Sequence, residues 1–123
     1  MRSIQLYATG SASGNNLANV TIPTAGQIRR VNSALRVDSI TDNAGLDFEL
    51  SLASAAQTTV NGALNPFLAI SWGGNFVTSG LAHWASNDSF PVMVPIRAGD
   101  QIYMNLLVSG TVTYIVRFII WYG

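Results

Sequence analysis

The stretch from Pro91 to Tyr122 reads PVMVPIRAGDQIYMNLLVSGTVTYIVRFIIWY, and it decides the fold because nearly all of it is extended-chain sequence. Apolar and β-branched residues fill it, and two groups of turn-forming residues divide it. It predicts three strands and two turns: strand Pro91 to Arg97, turn Ala98-Gly99-Asp100, strand Gln101 to Val108, turn Ser109-Gly110 and strand Thr111 to Tyr122.

The rest of the chain shows the same short extended segments between clusters of Gly, Ser, Asn and Pro. Alternation of apolar residues predicts strands at Ser3 to Ala8, Leu17 to Thr24, Ile28 to Thr41, Leu46 to Leu52, Pro66 to Trp72 and Leu81 to Ser86. Loops are expected at Thr9 to Asn16 and at Asn87 to Ser89. About eight strands and almost no sustained helical period predict an all-β antiparallel sandwich or barrel.

The turn Asp42-Asn43-Ala44-Gly45 lies between two of these strands, and we interpret Ile28 to Thr41 and Leu46 to Leu52 as a hairpin. Shorter extended pieces are predicted at Thr58 to Val60, inside a loop, and at Phe76 to Thr78, after a bulge or turn. One face of the first strand of this hairpin, Ile28 to Thr41, is polar, which predicts cross-strand ion pairs. Its residues are Arg30, Asn32, Arg36 and Asp38. This face is either a solvated surface or a subunit contact.

Composition indicates a protein that works within an assembly. The 123 residues are 49% hydrophobic and 10% charged, with a formal net charge of +0, whereas roughly 25% of a typical soluble domain is charged. A surface with so few charges is poorly protected against association. All six basic residues are arginines and six acids balance them, so we expect no general nucleic-acid-binding face.

The length fits one domain spanning residues 1–123. The start, Met-Arg-Ser-Ile-Gln-Leu, lacks the apolar core of a signal peptide, and no apolar run approaches a membrane span. We therefore expect a product made in a cytoplasm, without a membrane partner.

Catalytic and metal-binding signatures are missing from the sequence. It has no cysteine, His83 is its single histidine, and neither a Gly-x-Ser-x-Gly elbow nor a phosphate loop with its lysine occurs. The carboxylates are scattered and do not have the spacing of a calcium-binding loop. These observations predict a non-enzymatic protein with no cofactor and no metal ion.

The last strand is apolar on both faces. One face consists of Val112, Tyr114, Val116, Phe118, Ile120 and Tyr122. The other face carries Ile115, Ile119 and Trp121, interrupted by Thr113 and Arg117. Because an antiparallel strand with one wet face should be polar on that side, we predict that Ile115, Arg117, Ile119 and Trp121 form an oligomer interface in which Arg117 pairs with a carboxylate.

An alternative site is a small-molecule surface near His83. His83 and Trp84 could form an imidazole and aromatic platform for a sugar ring or a partner protein, with Asn87 and Asp88 in the adjacent loop. The alternative function is therefore a carbohydrate- or receptor-binding module, with a glycan as its partner.

The last third of the chain resembles the closing strands of small viral and phage jelly-roll proteins, and more loosely those of trimeric tumour-necrosis-factor and C1q-like sandwiches. The resemblance is carried by the segments Val94 to Asn105 and Val112 to Ile120. In those families an apolar strand enters a Gly-Asp turn, a second strand leaves it, and a final strand runs through the middle of a sheet.

This resemblance implies a jelly-roll-like sandwich and a virion structural role. The protein would be a capsid decoration or cement protein, or a head-fibre or tail component, made in the host cytoplasm and located in the virion. Its partners would be itself, most simply as a homotrimer, and the major capsid or other virion proteins.

Overall fold

The computed structural model describes residues 1–38, 44–53, 66–73 and 83–123; for Asn15, Asn16, Ala53, His83 and Trp84 it describes the backbone alone. Over these residues the chain forms eight strands. They are β1 (Arg2–Gly10), β2 (Gly14–Thr21), β3 (Gly26–Asp38), β4 (Gly45–Ala53), β5 (Pro66–Gly73), β6 (His83–Ile96), β7 (Gln101–Ser109) and β8 (Thr113–Tyr122). This part of the chain contains no helix with the length and hydropathy that a membrane span needs.

The strands form two antiparallel sheets of four strands each. The first sheet has the order β1-β8-β3-β6, and the second has the order β2-β7-β4-β5. Apart from β4 and β5, strands that are consecutive in the sequence lie in different sheets, so nearly every connection crosses the sandwich. This arrangement is a jelly-roll β-sandwich, which confirms the predicted all-β fold.

The hairpin predicted from Ile28 to Leu52 is wrong. The two strands concerned are β3, which pairs with β6 and β8, and β4, which pairs with β5 and β7. Alternation identifies the buried face of a strand but does not choose its neighbour, because both sheets bury one face in the same core.

Some predicted segments lie outside the described residues. They are the turn residues Asp42 and Asn43 and the short extended pieces Thr58 to Val60 and Phe76 to Thr78.

Two segments predicted as loops form strands: Asn87 to Ser89 entirely, and Thr9 to Asn16 at both of its ends. Asn87 to Ser89 form the middle of β6, where they pair with consecutive residues of β3. The hydrogen bonds of that ladder outweigh the local turn preference of Asn, Asp and Ser. Pro91 and Pro95 are tolerated in the same strand because β6 lies at the edge of its sheet. Similarly, β2 begins at Gly14, inside the loop expected for Thr9 to Asn16.

The predicted turn at Ala98-Gly99-Asp100 is confirmed. The amide of Asp100 donates to the carbonyl of Arg97 at 3.1 Å, and the Asp100 carboxylate accepts from the amide of Arg97 at 2.9 Å. Gly99 supplies the positive φ, 90°, that the turn requires. Two backbone bonds to Ile22, of 2.8 and 2.9 Å, attach the turn to the chain just beyond β2.

An aromatic cluster joins the two sheets in the core. The ring of Phe48 on β4 lies edge-on to Phe118 and Tyr114 on β8, with centroid distances of 5.6 and 6.2 Å, and to Trp72 on β5, at 5.5 Å. Phe48, Tyr114 and Phe118 are each at most 2% exposed. The inner face predicted for the last strand is therefore confirmed, and β8 lies in the middle of the first sheet because both its sides are paired.

Candidate functional site

The candidate site is the outer face of the first sheet, which points away from the core. Strand register arranges its side chains in rows across β1, β8, β3 and β6, since directly opposed residues share a face. The rows are Ser3, Trp121, Arg30 and Pro91; Gln5, Ile119, Asn32 and Ser89; Tyr7, Arg117, Ala34 and Asn87; and Thr9, Ile115, Arg36 and Ala85.

The four residues predicted as an interface lie along the middle of this outer face. Ile115 is 43% exposed, Arg117 is exposed, and Ile119 and Trp121 are half-buried. The alternate residues of the same strand are buried in the core. The strand therefore has the two apolar faces that its sequence indicates, and its second face is open to solvent in the single chain.

Two shallow depressions meet near the centre of the outer face. The larger, of about 490 Å³, lies towards Ile119, and the smaller, of about 300 Å³, lies towards Ile115. Both are bordered by Ala34, Asn87 and Arg117. The depressions form there because Ala34 carries only a methyl group between the long side chain of Arg117 and the side chain of Asn87.

Positive charge dominates this outer face. Arg36 pairs with Asp38 of its own strand, Nε to Oδ2, at 3.3 Å, with side chains 63% and 41% exposed. The predicted ion pair is thus formed within one strand rather than across strands, and its exposure limits its contribution to about 0 to 1 kcal/mol. Within the described residues no carboxylate forms an ion pair with Arg30 or Arg117.

Polar side chains border the larger depression on the side of β6. Asn32 on β3 accepts a hydrogen bond at 3.0 Å from the hydroxyl of Ser89, which is its direct partner on β6. Together with Asn87, Arg30 and Arg117, these groups give the depression amide, hydroxyl and guanidinium donors beside the aliphatic side chain of Ile119.

The residues predicted for the alternative binding site all lie on β6, so Asn87 and Asp88 belong to a strand and not to the expected loop. Asn87 and Asp88 are neighbours in β6, so they point to opposite faces, and Asn87 alone joins the row that contains Arg117. The Asp88 carboxylate accepts a hydrogen bond from the hydroxyl of Ser86 at 2.6 Å. The backbones of His83 and Trp84 pair with Asp38 and Val37 of β3, and their side chains lie outside the described residues.

The sequence placed Arg30 and Asn32 of β3 on one polar face, but it missed Ala34 of the same strand and Tyr7 of β1. Ala34 borders both depressions, and Tyr7 borders the smaller one. No local signal identifies these two residues, because their position depends on the pairing of β8 with two strands that are distant in the sequence. In the described ranges, no three side chains of His, Asp and Glu come together as ligands for one metal ion.

Comparisons with known proteins support the fold. No protein-family model matches the sequence, and no curated protein matches it significantly. Among solved structures, the CBM36-1 domain of a multidomain xylanase from the hindgut metagenome of Trinervitermes trinervoides aligns over 98% of this chain and 97% of its own, with 13% identity and a TM-score of 0.55. The infectious bursal disease virus VP2 subviral particle aligns over 99% of this chain and 33% of its own, with 12% identity and a TM-score of 0.54.

These two structures, one a carbohydrate-binding module and the other a viral capsid protein, are similar to this chain in fold. At such identities the similarity extends to the jelly-roll architecture and no further.

Proposed function

We propose that this protein is a non-enzymatic structural component of a viral particle, which assembles through the outer face of its first sheet. The observation that carries the proposal is a group of apolar side chains around Arg117 in the middle of a four-stranded sheet, with Ile115 exposed and Ile119 and Trp121 half-buried. No carboxylate of the described residues pairs with this Arg117. Covering an apolar face of this kind stabilises an assembly by roughly 25 cal/mol for each Å² of apolar surface removed from water.

The chemistry of the whole chain supports the same proposal. Only 10% of its residues are charged, so little charge repulsion opposes the approach of a second protein surface. A central Arg among apolar residues is also common in interfaces, because its planar guanidinium binds carboxylates bidentately and is weakly hydrated. The resemblance of the closing strands to small viral and phage jelly-roll proteins supports a more specific role, that of a capsid decoration or cement protein, most simply a homotrimer that also binds the capsid.

The proposal is tested by the oligomeric state of the purified protein, measured by size-exclusion chromatography with light scattering. Wild-type protein is expected to be an oligomer, and Ile119→Asp should dissociate it because the new charge would be buried in the contact. Ala98→Asp is the matched control, since Ala98 is exposed in the turn between β6 and β7. A wild-type protein that is monomeric and does not join particles would disprove the proposal.

A second candidate function is carbohydrate or receptor binding. The observation that favours it is the group of amide and hydroxyl side chains of Asn32, Asn87 and Ser89 around the larger depression, together with the half-buried Trp121 on the same face. Sugar-binding sites combine such polar groups with an aromatic surface. Glycan-array screening of the wild type and Asn87→Ala tests it, and an absence of binding at millimolar sugar counts against it.

A further inference from the structure

A β-bulge in β3 places two consecutive arginines on the outer face of the first sheet. The register of β3 against β8 shifts between Ile28 and Arg30, so Arg29 is an extra residue opposite Trp121. Ile28 and Val31 are buried, whereas Arg29 and Arg30 are both exposed. Regular alternation would direct two neighbouring side chains to opposite faces, but a bulge re-aims one of them. Both guanidinium groups therefore stand on the same face of the sheet.

The two arginines border a third depression of this face, of about 510 Å³, together with Met1 and Trp121. The indole of Trp121 is half-buried. Nε of Arg29 donates a hydrogen bond to the carbonyl of Gly123 at 3.3 Å, which orients its side chain at the end of the sheet. Because Arg30 also borders the larger depression at Ile119, the two depressions adjoin. They form one groove along β3 and β8, which we call the basic groove.

The basic groove combines charged donors, neutral polar groups and apolar surface. It runs from the row of Trp121 to the row of Arg117, two rows further along the sheet, which is a distance of roughly 13 Å. Its polar groups belong to Arg29, Arg30, Asn32, Asn87, Ser89 and Arg117. Guanidinium groups only donate hydrogen bonds, whereas amides and hydroxyls both donate and accept. The groove therefore fits a ligand that carries anionic oxygens as well as hydroxyl groups.

Carboxylates of the chain itself oppose this positive charge only weakly. Asp88 reaches the border of the larger depression from the opposite face of β6, and its carboxylate accepts a hydrogen bond from the hydroxyl of Ser86 at 2.6 Å. Among the described residues, no carboxylate forms an ion pair with Arg30 or Arg117. Both guanidinium groups are thus available for an anion from outside the chain.

The arrangement of these groups favours an acidic oligosaccharide over other anions. Guanidinium groups bind carboxylates bidentately, and the indole of Trp121 and the side chain of Ile119 offer apolar surface to the C–H face of a sugar ring. A groove that spans two rows of the sheet is longer than one sugar ring. A single strand of nucleic acid is instead held by several aromatic side chains on which successive bases stack. Among the described residues that line the basic groove, Trp121 is the one aromatic.

We propose that the basic groove binds an acidic oligosaccharide. The carboxylate of one sugar lies in the larger depression, between Arg30 and Arg117, and the ring of the next sugar lies against Trp121 beside Arg29. The inference rests on the second candidate function, carbohydrate binding, and it adds the class of sugar and the residues that select it.

Isothermal titration calorimetry with two matched probes tests the inference. The probes are trigalacturonic acid and its methyl ester, which has the same sugar rings without the negative charges. Wild-type protein is expected to bind the acid about tenfold or more tightly than the ester, because only the acid pairs with the guanidinium groups. Added sodium chloride should weaken binding of the acid, since salt screens the charges.

Matched variants locate the site. Arg30→Gln and Arg117→Gln should each weaken binding of the acid about tenfold or more and change binding of the ester little. Trp121→Ala should weaken binding of both probes, because both use the ring surface. Arg97→Gln is the control, since it removes the same charge from an exposed arginine in the turn between β6 and β7. Circular dichroism confirms that each variant is folded.

The basic groove lies on the surface proposed for assembly, so a bound sugar and a neighbouring subunit exclude each other. Trigalacturonic acid should therefore weaken association of the protein in sedimentation velocity, by linkage between the two equilibria. Bound ligand that leaves association unchanged would contradict the assembly surface while the sugar site stands, so the two proposals fail separately.

Four results would overturn the acidic-sugar site. They are an absence of trigalacturonic acid binding at millimolar concentration, equal affinity for the acid and its ester, equal losses in Arg97→Gln and Arg30→Gln, and tighter binding of a hexaglutamate peptide or a hexathymidylate than of trigalacturonic acid. With any of them, a neutral sugar bound in the glycan screen would still support the second candidate function.

Discussion

Arg117 on β8 is the direct cross-strand partner of Ala34 on β3, so one of the longest side chains of the outer face stands beside one of the shortest. Both depressions of that face border on this pair. The pair therefore combines, in the middle of the sheet, a concave shape with a positive charge that no carboxylate of the described residues neutralises, and both properties favour the proposed assembly.

Filling the depression should block assembly without unfolding the protein. In Ala34→Leu the larger side chain occupies the space next to Arg117, and we expect association to weaken about tenfold or more because the neighbouring surface clashes with it. Ala34 is exposed, so the unfolding midpoint should change little. Sedimentation velocity measures the association constant, and Ala12→Leu, at an exposed residue after β1, serves as the control. Unchanged association in Ala34→Leu would argue against contact at this depression.

Phe48→Ala should destabilise the sandwich more than other substitutions of its size. Phe48 is 1% exposed and touches aromatic rings on both sheets, so its removal leaves a cavity at the contact between them. The expected loss is about 3 to 5 kcal/mol in the free energy of unfolding, measured by urea denaturation. Phe67→Ala, at a half-buried residue of the edge strand β5, should lose clearly less. Equal losses at both positions would contradict the central role of Phe48.

Gly99→Ala tests the backbone of the turn between β6 and β7. No atom lies within 4 Å of a Cβ added at Gly99, so the substitution meets no steric contact. Its φ of 90° is nevertheless unfavourable for any residue with a Cβ, and we expect a loss of about 1 to 2 kcal/mol in the free energy of unfolding. A variant as stable as the wild type would show that the turn has a different conformation in solution.

The phenol of Tyr114 should make the stability of the protein fall at alkaline pH. Burial raises the pKa of Tyr114 above its usual value of 10.0. In the unfolded chain the phenol of Tyr114 loses its proton at about pH 10, whereas in the folded chain the buried phenol is still protonated at that pH. The contribution of Tyr114 is therefore complete below about pH 10 and is lost as the pH rises through the folded-state pKa.

Urea midpoints measured at about pH 8 and about pH 11 test this prediction. Tyr114→Phe should lose less stability between the two pH values than the wild type, because phenylalanine has no proton to release. Tyr7→Phe, at an exposed tyrosine, should behave like the wild type. Identical alkaline losses in the wild type and in Tyr114→Phe would contradict the account.

The features that could be predicted from the sequence are those that depend on local pattern. Period-two alternation in the last strand identified its buried face from Val112 to Tyr122, and the residues of the Arg97–Asp100 turn identified that turn, because both signals lie within a few neighbouring residues. The two-faced apolar pattern of β8 also identified the candidate interface, although its role stays a prediction.

The features that could not be predicted depend on pairing between distant segments. Asn87 to Ser89 have the composition of a loop, yet they form a strand because β3 provides hydrogen-bond partners more than 50 residues away in the sequence. The depression at Ala34 exists only in the register that places this alanine between Arg117 and Asn87.

Imaging the assembled protein by electron cryo-microscopy tests the central claim most directly. We predict that density of a neighbouring subunit covers the outer face of the first sheet, with a carboxylate within hydrogen-bonding distance of Arg117 and with Ile115, Ile119 and Trp121 removed from solvent. An assembly in which this face is in contact with solvent, and in which the subunits meet elsewhere, would contradict the claim.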